Sequence, residues 1–214
     1  MKVLVIGANG QIGKKIVGLL RASNQHQARA MVRTKEQVEL FRHLGVETVY
    51  ANLEGTVNEI AEAANGCDAL VFTAGSGGKT GADKTLLVDL DGAVKAIEAA
   101  EKVGIQRFIL VSALQAHHRE NWNEAIKPYY VAKHYADRIL EASALNYTII
   151  RPGGLTNEQG TGRVSAAENL KRGTIPREDV AEVIIASLTE EKTYKRAFDI
   201  ISGDTPIKEA LSLL

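Results

Sequence analysis

Tyr129 and Lys133 stand four residues apart in a stretch, Tyr129 to Ser143, whose apolar spacing predicts a helix. Residues four apart share a helix face, so both side chains can enter one site. A phenol ionises near pH ~10 and handles protons poorly at neutral pH, and an ammonium close by favours the phenolate. Lys133 is therefore expected to bring the Tyr129 proton into working range. Tyr130 is an adjacent competitor for that role. Ser112, at the end of a predicted strand Arg107 to Val111, is placed to hydrogen-bond a substrate carbonyl.

A second constellation opens the chain. Val3 to Ile6 is a continuous apolar run, the pattern of a strand buried on both faces of a parallel sheet. Gly7, Gly10 and Gly13 follow at spacing G-x-x-G-x-x-G, with Asn9, Gln11 and Ile12 between them, and the apolar spacing then becomes helical. Glycines there allow a tight turn, a close approach of backbone to ligand, and close packing of helix on sheet. The N–H groups and positive dipole end of the helix favour a pyrophosphate, so a dinucleotide site is expected. Arg33 ends the second predicted strand, where NAD-selective folds place a carboxylate for the ribose 2′-hydroxyl. An arginine there, supported by Thr34 and Lys35, suits a 2′-phosphate, so the expected cofactor is NADP, with NAD possible.

The elements that must position these residues read as alternating strands and helices, which argues for an α/β fold with a doubly wound parallel sheet. Strands are expected at 28–32, 46–50, 68–74, 147–150 and, last, 196–201. Helices are expected at 35–44, 59–64, 83–103, 177–188 and in the tail 207–214. The chain reads as a single domain over 1–214, with residues from about 152 completing the substrate side as a small C-terminal extension. Two long stretches, Leu114 to Pro128 and Leu155 to Thr174, read as irregular loops after strand C-termini, the edge where such sheets bind ligands.

With these motifs placed, the chain resembles the short-chain dehydrogenase/reductase superfamily. It is most similar to the small atypical NAD(P)-binding branch with NmrA-like and biliverdin/flavin-reductase-like proteins, over essentially its whole length. The likeness is carried by Gly7-x-x-Gly10-x-x-Gly13, Asn52-Leu53, Thr73-Ala74-Gly75, Val111-Ser112-Ala113, Tyr129-x-x-x-Lys133 and Arg151-Pro152-Gly153-Gly154. In the family these hold, respectively, pyrophosphate, adenine, the cofactor ribose, the catalytic Ser, the Tyr/Lys pair and the nicotinamide. The resemblance implies a Rossmann fold, Ser112, Tyr129 and Lys133 as catalytic residues, and Lys133 also on the nicotinamide ribose. It implies cofactor contacts from Gly7, Asn9, Gly10, Gln11, Ile12, Gly13, Arg33, Thr34, Asn52, Leu53, Thr73, Ala74, Gly75, Pro152, Gly153, Gly154 and Leu155. Two positions depart from the pattern: Ala113 stands where extended members align their Ser, and Asp89 where the family has a helix Asn. The implied activity is hydride transfer between nicotinamide and a small carbonyl-like or conjugated acceptor. The alternatives are a non-catalytic NADP(H) sensor, as in NmrA-like proteins, and a sugar epimerase or dehydratase. Only residues 152–214 follow Arg151, which favours a small substrate over a sugar nucleotide.

Bulk properties narrow the partners. Lys plus Arg and Asp plus Glu number 26 each, so nothing predicts attraction to nucleic acid or an anionic membrane. No apolar run reaches ~18 residues and residues 1–20 lack a secretory pattern, so a cytoplasmic protein is expected, monomeric or homodimeric, with a small-molecule substrate. Cys67, the sole cysteine, reads as a packing residue. The loop Gly75 to Gly81 has Thr73 where a phosphate loop needs its first glycine, and reads instead as a mobile cover for the nicotinamide. His117 and His118 with Glu120 lack a third helically spaced ligand; no metal is expected, and this segment with Trp122 is expected in the substrate wall.

Overall fold

A computed structural model describes residues 1–78 and 80–214. The chain runs β1 (Lys2–Ile6), α1 (Gln11–Ala22), β2 (Gln27–Val32), α2 (Lys35–His43), β3 (Glu47–Tyr50), α3 (Val57–Ala64) and β4 (Ala69–Phe72). A short α4 (Ala82–Lys84) passes through a π-helical stretch, Thr85–Leu90, into α5 (Asp91–Lys102). Then come β5 (Arg107–Val111), α6 (Lys127–Ala142), β6 (Asn146–Pro152), β7 (Gly154–Thr156), β8 (Arg163–Ala167) and β9 (Thr174–Pro176). The chain ends with α7 (Arg177–Ser187), β10 (Arg196–Ser202), β11 (Thr205–Pro206) and α8 (Ile207–Ser212).

The main sheet has the order β11-β8-β10-β6-β5-β4-β1-β2-β3. From β3 to β10 every pairing is parallel, while β8 joins β10 antiparallel and β11 joins β8 antiparallel. This is a Rossmann-like doubly wound sheet, as expected. The alternation along β1 explains its two layers. Val3 and Val5 pack with Ile16, Leu20 and Ile184 of α1 and α7, and Leu4 and Ile6 with Ile60, Ile97 and Leu140 of α3, α5 and α6. Winding reverses at β1, between β2 and β4, so a crevice opens at the carboxyl ends of β1 and β4.

The stretch 155–174, expected to be irregular, instead contains β7, β8 and the start of β9. β8 extends the sheet in register Asp199↔Ala167 to Ser202↔Val164, and β7 pairs with β9 in a separate parallel ribbon. Arg163 to Ala167 has one fully buried apolar residue, Val164, so it shows no apolar period to read. The strand over 196–202 is likewise not the last, since β11 follows it. The turn at 160–162 is tied to the start of α7: Asp179 accepts from the N–H groups of Thr161 (3.1 Å) and Gly162 (2.8 Å), and Glu178 from that of Gly160 (3.1 Å). The helix expected over 83–103 is interrupted by the π-helical turn, which buries Asp89. No helix among the described residues is long and apolar enough to cross a membrane.

Candidate active site

The three glycines do different work. Gly7 has φ +87°, and a Cβ there would press on the Ala74 backbone, with its N at 2.6 Å. A Cβ on Gly13 would overlap Gly7 O and lie 2.8 Å from Ala8 Cα, so Gly13 seats α1 on the turn. Gly10 has an ordinary extended conformation, and a Cβ there would meet only Gly7 O at 3.1 Å before open cleft. α1 has no side-chain cap and no acidic residue in its first turn. Its free N–H groups therefore have only solvent or a ligand to bond, and they suit a pyrophosphate.

Gly10, Gln11 and Ile12 form one end of a cavity of about 1020 Å³. Thr73, Ala74 and Gly75 from the end of β4 continue it, with Ser112 and Ala113 after β5, Tyr129, Tyr130 and Lys133 of α6, and Pro152, Gly153, Gly154 and Leu155 at the end of β6. Thr73 Oγ1 in this lining is buried without a hydrogen-bond partner among the described residues, and the buried Ser112 Oγ has the Asp137 carboxyl beside it. An unpaired buried hydroxyl like that of Thr73 suits a polar ligand. Gly7 and Gly13 support the turn from behind, and Asn9 is exposed at its rim. Arg33, Thr34, Asn52 and Leu53 lie outside the cavity, at the ends of β2 and β3. The Arg33 side chain is exposed, Thr34 caps α2 by accepting from Gln37 N (3.3 Å), and Asn52 Oδ1 accepts from Glu54 N (3.1 Å). Leu53 is buried against Gly92. Gly75, Ser76, Gly77, Gly78 and Thr80 border the cavity as the expected cover would, while Lys79 of that loop lies outside the described residues.

At the catalytic end, Lys133 Nζ donates to Val111 O (3.0 Å), lies 3.8 Å from Asp89 Oδ1, and sits 5.6 Å from the centre of the Tyr129 ring. The π-helical turn makes this possible by turning Asp89 inward, where Oδ2 also accepts from Ser76 N (2.9 Å). Such turns recur at functional sites. The expected lowering of the Tyr129 phenol by Lys133 does not occur. Burial pushes the phenol up, and Asp89, Tyr130 and Asp137 push it further. Burial also lowers Lys133, against the pull of Asp89 and Asp137. Tyr129 therefore holds its proton at neutral pH. Tyr130, the competitor, is buried and stacked on Trp122, with ring centres 6.0 Å apart.

Sequence reasoning passed over Asp137, although it continues the Tyr129–Lys133 face by one more turn. Asp137 is buried; Oδ2 accepts from Arg151 Nε (2.9 Å), and Oδ1 has no partner among the described residues. Burial raises its carboxyl, offset by Arg151 and the neighbouring Ser112 hydroxyl. Arg151 thus serves α6 rather than the cavity. Arg172 and Arg177 also line the cavity, and no motif announced them. The expected wall of His117, His118 and Trp122 is displaced. Both histidines turn their Nε2 atoms to Asn169 Oδ1 (2.7 and 2.6 Å), and Trp122 Nε1 donates to Ala116 O (3.1 Å). The cavity wall is formed instead by Asn123, Ala125, Ile126 and Pro128. Among the described residues, no three His, Cys, Asp or Glu side chains cluster as metal ligands.

Comparison with known proteins agrees with this geometry. Residues 7–191 match the NAD(P)H-binding family. A Bacillus subtilis protein named "Uncharacterized sugar epimerase YhfK" is 68% identical over all of both chains. Among solved structures, a candidate NAD-dependent epimerase/dehydratase of Bacillus halodurans is 42% identical over all of both chains, with TM-score 0.94. The anaerobilin reductase ChuY of Escherichia coli O157:H7 is 25% identical over 95% of this chain and 98% of its own, with TM-score 0.81. The chain belongs to the NAD(P)H-binding family of atypical short-chain dehydrogenases/reductases.

Proposed function

We propose that the protein is an NADP(H)-dependent oxidoreductase that reduces a small carbonyl-like or conjugated acceptor. The observation that carries this reading is one cavity shared by the uncapped start of α1, the phenol of Tyr129, the ammonium of Lys133 and the hydroxyl of Ser112. Bound NADPH supplies the hydride. Ser112 bonds the acceptor oxygen, and Tyr129 donates a proton to it as negative charge develops there. Lys133 keeps N–H groups beyond the one given to Val111 O, and these serve the cofactor ribose. Thr73 to Gly75 and Pro152 to Leu155, which line the cavity, would hold the ribose and nicotinamide of the bound cofactor. Arg33, exposed where the end of β2 would meet the adenosine ribose, favours the 2′-phosphate of NADP over NAD.

The name carried by the Bacillus subtilis relative supports a second reading, sugar epimerisation. Against it, β8, β10 and β11, beyond Pro152, are built into the main sheet rather than into a separate substrate lobe. The test is consumption of NADPH in the presence of aldehydes, quinones and conjugated enones. Acceptor-dependent oxidation supports the reductase; none with any acceptor, together with intact NADPH binding, supports a sensor.

A further inference from the structure

Among the described residues, the charged side chains lining the cavity are Asp89, Lys133, Arg172 and Arg177. Asp89 and Lys133 offset each other at 3.8 Å. The two arginines bond only neutral oxygens: Arg172 donates to Asn121 O, and Arg177 to Leu155 O (3.2 Å) and Asn157 Oδ1 (2.9 Å). The cavity therefore carries two cations without a carboxylate partner among the described residues.

They occupy different ends. Arg172 precedes β9 and Arg177 follows it, so an extended chain of five steps at ~3.3 Å each separates their backbones by up to ~16 Å. Arg177 opens α7, whose next residue, Glu178, lies 3.9 Å from Lys15 of α1. Arg177 thus stands between α1 and β7. Arg172 reaches the loop that carries Asn123, Ala125 and Ile126, on the side of Tyr129 where an acceptor must lie. The loop it reaches presents an apolar side chain, Ile126, left 45% exposed.

We infer that Arg172 is a specificity-determining residue for the acceptor, which carries a carboxylate or similar anionic group on an apolar body. This rests on the reading above that the glycine-turn end holds the dinucleotide. A guanidinium with one N–H tied to a backbone carbonyl keeps its fork oriented, and its remaining donors match a carboxylate in two-pronged fashion. Arg172 is exposed, so water screens it, and the preference expected is modest, about ten-fold.

The test is calorimetric binding of 2-naphthoate and its neutral analogue 2-naphthamide to protein saturated with NADP⁺. Wild type is expected to favour naphthoate about ten-fold, and Arg172→Gln to bring the two within about two-fold while its NADP⁺ affinity stays unchanged. Equal affinity of the two probes in wild type, or failure of naphthoate to bind, overturns the proposal. So does an Arg172→Gln variant that loses NADP⁺ affinity as much as naphthoate, since that assigns the arginine to the cofactor. The measurement needs no turnover: an acceptor panel without activity would remove the reductase reading and leave the probe preference standing.

Discussion

Lys133 is buried between two carboxylates, with Asp89 Oδ1 at 3.8 Å and Asp137 one turn along α6. Burial first, and then the same carboxylates with Tyr130, raise the Tyr129 phenol above its ordinary value, so its protonated form persists into alkaline solution. The phenol itself should therefore not limit acceptor reduction as pH rises through 10, and the alkaline fall in rate is expected where Lys133, lowered by burial, gives up its proton. In Asp89→Asn one charge favouring the ammonium is gone, so Lys133 gives up its proton at lower pH and the alkaline fall in rate moves down. Superimposable pH–rate profiles of the two proteins would contradict this account. Arg33 gives a second residue-scale prediction. Its guanidinium is exposed, so the 2′-phosphate contact sits at the low end for charge-assisted bonds, about 1.5 kcal/mol or ten-fold. Titration should show NADPH binding about ten-fold tighter than NADH, with the gap closing in Arg33→Ala; equal wild-type affinities would refute it. The Tyr129/Lys133 spacing was legible in the sequence because a helix fixes which residues share a face. The sign of the phenol shift was not, because it depends first on how deeply the fold buries the ring and then on Asp89 and Asp137, brought there by a π-helical turn and by an unread third position on α6.

The turn between β1 and α1 separates fold from binding within one element. Gly13→Val would drive side-chain atoms into Gly7 O and Ala8, and overpacking of this kind costs about 1–3 kcal/mol. Gly10→Val has an accessible conformation and an open cleft in front of it, so the thermal midpoint should hold while NADPH affinity is lost. Melting curves and NADPH titration on both variants check this; cofactor affinity retained by folded Gly10→Val would contradict the site. The parallel strands were readable as continuous apolar runs, since β4 and β5 are buried at every residue. β7, β8 and β9 were not readable. They are short, half-exposed and held by partners distant in sequence, such as β10 for β8. Arg172 and Arg177 went unseen with them, because their meaning depends on where β9 runs.

Across the whole molecule, Arg107 ties together segments some eighty residues apart. Its guanidinium donates to Asn146 O (2.6 Å) and Thr148 Oγ1 (2.7 Å) of β6, and to Ser187 O and Leu188 O at the carboxyl end of α7. It also stacks on Tyr194 at 4.3 Å. A cation at a helix carboxyl end meets the negative end of the dipole. Burial nonetheless lowers the Arg107 pKa to about 10. Arg107→Met should cost about 2–4 kcal/mol in chemical denaturation, because it strands several buried acceptors at once. A loss under about 0.5 kcal/mol would show that α7 and β6 hold together without it.

On the proposed reading, Tyr129 donates the proton that accompanies hydride transfer. Tyr129→Phe removes one oxygen and keeps the ring, so NADPH affinity should stay within about two-fold. The single-turnover rate of NADPH oxidation by a reactive acceptor, followed by stopped flow, should fall by about 10²–10⁴-fold. An unchanged rate in Tyr129→Phe would contradict the claim.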